Sequence, residues 1–97
     1  MATYVSLIRF TAQGIKNIRK SPDRAKACRK AVAAAGGRVR EIFWTLGEFD
    51  GVLVFEMPSD EAAAALMLSI ARQGSVQPRT LRAFDEREFQ AVLKKAK

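Results

Sequence analysis

Histidine is absent from this 97-residue chain, and cysteine, tryptophan and tyrosine occur once each. Without histidine, the commonest general base, the commonest metal ligand and the usual proximal haem ligand are all missing. One cysteine supplies neither a CxxC pair nor a disulfide within the chain. Zinc, histidine-ligated haem and Ser-His-Asp chemistry are excluded, and no cofactor or metal is expected. No apolar run approaches the roughly eighteen residues that a membrane span needs. The opening MATYVSLIRF lacks a basic segment followed by a long apolar stretch, so the expected location is cytoplasmic, with no membrane partner. Acids are scarce as well: 10 Asp and Glu stand against 17 Lys and Arg, a net charge of +7.

What is present is an ordinary apolar content of 48%. A chain of this length hides a little under roughly two-thirds of its unfolded surface in one core, which points to a single domain over residues 1–97. Thr3 to Phe10 is rich in β-formers, with Tyr4, Ser6, Ile8 and Phe10 on one face and Val5, Leu7 and Arg9 on the other. Thr11 and Gly14 break the period, and Ile15 and Ile18 fit a short helical turn. Ser21-Pro22 reads as an N-cap followed by proline at the first helical position. The stripe Ala25, Cys28, Val32, Ala35 follows at steps of three and four, and Gly36-Gly37 supplies a left-handed stop. Cys28, on that stripe, reads as a small buried thiol rather than a nucleophile.

Arg38 to Leu46 and Val52 to Met57 read as two strands of a hairpin joined through Gly47-Glu48-Phe49-Asp50-Gly51. Ser59 caps a helix with Asp60 and Glu61 in its first turn and the stripe Ala63, Leu66, Ile70 facing inward, closed by Gly74. Val76 to Phe84 is a fourth strand. Asp85 with Glu88 forms a capping box flanked by Phe84 and Phe89, so a last helix runs to about Lys95. The order β-α-β-β-α-β plus a terminal helix is the split βαβ arrangement of ferredoxin-like α+β folds, an antiparallel sheet with two helices on one face. The third strand, Val52-Leu53-Val54-Phe55, is apolar on both faces, as is Ile42-Phe43-Trp44. The last helix is too short to hide a whole sheet, so the expected cover for the second face is another copy of the chain, in a homodimer.

The ordered series YVSLIRFTAQGIKNI, SPDRA, GGRV, WTLGEFDGV, EAAAAL and TLRAF, spanning nearly the whole chain, resembles the GYD domain proteins, whose fold is similar to the dimeric α+β barrel group. The resemblance implies that fold and a dimer, and no particular activity. The Gly-Tyr-Asp signature is replaced here by Gly47, Glu48, Phe49, Asp50, so phenylalanine stands where the tyrosine would and no phenol is available. Related barrels host cofactor-free oxygenases, isomerases and haem-degrading enzymes, and the fold alone does not choose among them.

In this topology Arg9, Trp44, Thr45, Asp50, Gln77 and Arg79 gather at one end of the sheet beside the signature loop. Burying an unpaired guanidinium costs several kcal/mol, so Arg9 on a central strand needs a partner, and Asp50 is the candidate. On the functional reading, Arg9 and Arg79 hold a carboxylate, phosphate or enolate while Trp44 and Phe49 form an apolar wall. On the other, Asp50 closes a turn and pairs with Arg9, and Trp44 belongs to the core or the dimer interface. Asp50 is the one acid of the cluster able to act as a base. The leading expectation is a binder of a small anionic or aromatic molecule; a cofactor-independent enzyme is an alternative. A further alternative is a basic adaptor for nucleic acid or an acidic protein. Lys16, Arg19, Lys20, Arg24, Lys26, Arg29, Lys30 and Arg38 face only Asp23, but no aromatic is interleaved among them for base stacking.

Overall fold

Strand β1 (Ala2–Phe10) is the hub of the computed structural model, which describes all residues from Met1 to Lys97. It pairs antiparallel with β3 (Gly51–Met57) on one side and with β4 (Val76–Ala83) on the other. The edge strand β2 (Arg38–Trp44) pairs antiparallel with β3, giving the order β2-β3-β1-β4 expected of the split βαβ arrangement. The connecting helices are α1 (Ala12–Lys16), α2 (Ser21–Ala34) and α3 (Asp60–Arg72), with a single 3-10 turn at Ile18–Lys20 leading into α2. A last helix, α4 (Glu86–Lys95), follows β4. The first hairpin strand stops short of the sequence reading, β2 ending at Trp44 rather than Leu46, while β3 begins one residue early at Gly51.

Because side chains alternate along a strand, the register sorts the sheet into two faces. Tyr4 and Ser6 of β1 and Leu53, Phe55 and Met57 of β3 lie under α2 and α3 and are buried with Val32, Ala63 and Leu66. Tyr4 stacks on Phe55 with ring centroids 5.4 Å apart, and its hydroxyl donates to the Asp60 carboxylate in the first turn of α3. That bond ties the helix to the central strand, and burial together with the carboxylate pushes the Tyr4 phenol above its ordinary pKa. The buried Ser6 hydroxyl accepts from Thr80 Oγ1 at 3.0 Å and donates to Met67 Sδ, so the core leaves it satisfied.

The opposite, open face carries Val5, Leu7, Val52, Val54, Phe43 and Leu81. Phe43 and Leu81 are more than half exposed. No helix lies over these residues, and α4 buries none of its own. Its Phe89, Val92 and Leu93 stay 50%, 39% and 56% exposed. The radius of gyration, 14.4 Å, exceeds the roughly 12.5 Å of a compact domain of this size, as a projecting helix requires.

Local signals explain most boundaries. Gly36, at φ +85°, ends α2 with its N–H on Ala33 O and that of Gly37 on Val32 O. Ser59 Oγ accepts from Ala62 N, and the Asp85–Glu88 capping box starts α4. The break after β1 is itself a helix: Thr11 caps α1 by accepting from Gly14 N, and Gly14 packs so closely on the Ser75 carbonyl that any Cβ would overlap it. Ser21 departs from expectation. The cap position of α2 is Lys20, and Ser21 is a helical residue at φ −57° with its hydroxyl turned to a different task.

Candidate functional site

The signature loop between β2 and β3 is tied down from several sides. Thr45 N donates to Asp50 O at 2.9 Å and Thr45 Oγ1 to Phe49 O at 2.6 Å, closing the loop. Asp50 N donates to Ile8 O at 2.8 Å, which carries the β1–β3 ladder one step beyond Gly51. Phe10 N–H would be the next donor on that side of β1, and the Asp50 carboxylate takes it at 2.9 Å. Asp50 therefore completes the backbone of a central strand where its neighbour has turned away.

The expected Arg9–Asp50 pair does not form. Arg9 lies on the open face, where its Nη2 donates to Glu48 Oε1 at 3.1 Å and its guanidinium sits 5.0 Å from the Phe49 ring centroid. The loop thus serves the two sides of the strand separately: Asp50 accepts from the backbone, while Glu48 and Phe49 receive the side chain. The cation–π contact uses only the ring face, so phenylalanine in place of the signature tyrosine loses nothing there. Arg79 opposes Leu7 in the β1–β4 register and Gln77 opposes Arg9, which makes Arg9 and Arg79 diagonal neighbours on the open face.

Trp44 and Asp50 line a different space. A cavity of about 160 Å³ lies between α2, α3 and the helix-covered side of the sheet. Its walls are mainly apolar, with Ile8 and Phe10 from β1, Ile42 from β2, Leu53 from β3 and Leu66 and Ile70 from α3. Trp44 lies at the end of β2, half exposed, and its indole N–H donates to Ser21 Oγ at 2.8 Å. This is the task that removes Ser21 from capping. Five further residues of α2, Arg24, Ala25, Ala27, Cys28 and Ala31, line that wall. Burial raises the Cys28 thiol above its usual pKa, with Arg29 pulling weakly the other way.

The sequence-predicted cluster is thus divided by the sheet. Arg9, Phe49 and Arg79 belong with the open face, and of the five candidates only Trp44 and Asp50 reach the cavity. Sequence reasoning missed Arg24 as a wall residue, having counted it with the basic face of α2. The signal was present, since Ser21, Arg24 and Cys28 recur at steps of three and four on one helical face. No group of three Cys, Asp or Glu side chains is arranged to hold a metal ion, and no helix is long and apolar enough to cross a membrane.

A four-stranded antiparallel sheet of order β2-β3-β1-β4, backed by two helices on one face and followed by α4, defines a ferredoxin-like α+β protein. The GYD domain model matches residues 4–93, and the chain belongs to the GYD domain family. Among solved structures, TTHA0845 of Thermus thermophilus is similar, with a TM-score of 0.56 and 24% identity over 88% of this chain and 95% of that one. That likeness is one of fold. No curated protein matches the chain in sequence.

Proposed function

We propose that the protein is a homodimeric binder of a small molecule with an aromatic or comparably flat apolar body, seated in the cavity beside Trp44. The observation that carries this reading is the cavity itself, about 160 Å³ walled mainly by apolar side chains. An apolar void of about 150 Å³ is enough to take benzene. The cavity is half open to solvent, and its mainly apolar wall offers a flat apolar molecule burial from water.

The same reading assigns the open face to a second copy. Six apolar side chains lie there in a single chain, Val5, Leu7, Val52 and Val54 partly buried and Phe43 and Leu81 more than half exposed, framed by Arg38, Glu41, Glu56 and Arg79, and the apolar side of α4 adds to them. An isologous contact covers such a patch on both protomers at once, with a charged rim of both signs to fix the register.

The test is an NMR titration that follows the indole N–H of Trp44, the only tryptophan. Toluene, phenylacetamide and phenylacetate serve as probes. Binding in the cavity moves the Trp44 signal, and Cys28→Phe, which fills the space, suppresses the movement. If none of the three probes moves it, the reading is wrong. Sedimentation tests the assembly: the unaltered chain runs as a dimer, and Val54→Glu on the open face runs as a folded monomer.

A further inference from the structure

Arg24 is the single cation among the residues that line the cavity, and its guanidinium is incompletely satisfied. Nη1 donates to Asn17 O at 3.1 Å, whereas Nη2 is buried with no hydrogen-bond partner. A buried N–H of a charged group left without an acceptor is costly, and a carboxylate is the acceptor whose charge and geometry suit a guanidinium best. The single acid of the lining, Asp50, is held by the Phe10 N–H and makes no ion pair with Arg24.

We infer that the ligand of this cavity is an aromatic carboxylate, its ring among Ile8, Ile42, Ile70 and Trp44 and its carboxylate on the Arg24 guanidinium, which turns to present Nη2 to it. The inference rests on the cavity reading above and narrows it to one chemical class. It also moves the anion from Arg9 and Arg79, where the sequence pointed, to the covered side of the sheet. Arg9 is engaged by Glu48 and Phe49, although its Nε is also buried without a partner, and neither Arg9 nor Arg79 lines the cavity. The size fits: a phenyl ring fills a void of roughly 150 Å³, and a one-carbon arm carries the carboxylate beyond it.

The experiment compares phenylacetate with phenylacetamide, its neutral counterpart of nearly the same shape, by the Trp44 indole signal. The unaltered protein binds phenylacetate about tenfold more tightly than phenylacetamide, as a charge-assisted bond to an otherwise unpaired guanidinium predicts. Arg24→Gln removes that preference by lowering the phenylacetate affinity far more than the phenylacetamide affinity, and Arg24→Lys restores part of it. The inference is overturned if the unaltered protein binds the two equally, or if the preference survives in Arg24→Gln; in either case the cavity reading stands. If neither compound binds, the inference fails, and the cavity reading fails with it when toluene does not bind either. The comparison within the unaltered protein needs no variant to fold, and the neutral probe shows whether each variant keeps its cavity.

Discussion

Trp44 donates its indole N–H to the Ser21 hydroxyl at 2.8 Å, joining the edge strand β2 to the first turn of α2 across one wall of the cavity. Ser21 is buried, so its hydroxyl is lost to water and depends on the indole. Ser21→Ala should lower stability by about 1 kcal/mol and shift the Trp44 emission. Ser59→Ala, which removes a true helix cap, should cost about as much in urea unfolding and leave the emission unchanged.

Asp50 acts through its bond to Phe10 N rather than through a pair with Arg9. Asp50→Asn keeps an acceptor and should be mild, while Asp50→Leu leaves a backbone donor of the central strand unmet and should cost about 1.5–3 kcal/mol. Phe49→Tyr, which restores the family's signature, should change stability by less than about 0.5 kcal/mol, because Arg9 uses only the ring face. Chemical denaturation of the three variants checks the ranking.

Glu56 supplies a pH dependence with a definite sign. The hydrogen bond from Arg38, at 2.7 Å, holds its carboxyl below the usual carboxylate range, and Arg40 adds to the effect. A carboxyl with a depressed folded pKa stabilises the fold above its unfolded pKa, near 4.3, and the contribution is lost as pH falls through the folded value. Glu56→Gln should therefore be less stable than the unaltered chain at pH 7, and the gap should narrow as pH falls below about 4.3 and close below the folded value. Thermal melts across that range decide it, and a gap that persists into acid would rule out the carboxylate as its source.

Cys28 reports on the cavity from inside. Its raised pKa keeps it a thiol at neutral pH, so alkylation by iodoacetamide should be slower than for free cysteine and accelerate only in alkaline solution. A molecule in the cavity should slow it further, and the rate should fall with the concentration of phenylacetate. Unchanged labelling at saturating phenylacetate would place the bound molecule elsewhere.

The sequence carried the topology well because its signals are local. Gly36, Ser59 and the Asp85–Glu88 box each act within a few residues, and the twofold alternation of Tyr4, Ser6 and Val5, Leu7 sets the faces of β1. Ser21 was misjudged because proline at the next position imitates a cap, whereas its real partner, Trp44, is 23 residues away. The expected cluster is divided, and the Arg9–Asp50 pair does not form, for a related reason. Chain order places Arg9, Trp44, Asp50 and Arg79 at one end of the sheet, but facing is decided by strand register, which puts Arg9 and Trp44 on opposite sides. Arg24 escaped notice because a basic helix offers many cations, and only packing shows which one has a buried nitrogen without a partner.

The central claim is a pair of chains joined through their open faces, each with a cavity able to retain a small molecule. Native mass spectrometry of protein purified from its own cells measures both parts in one spectrum. The account predicts a dimer carrying a small adduct that is released on denaturation and is absent from the Cys28→Phe variant. A bare monomer would contradict it, leaving the apolar open face and the cavity beside Trp44 without the occupants assigned to them.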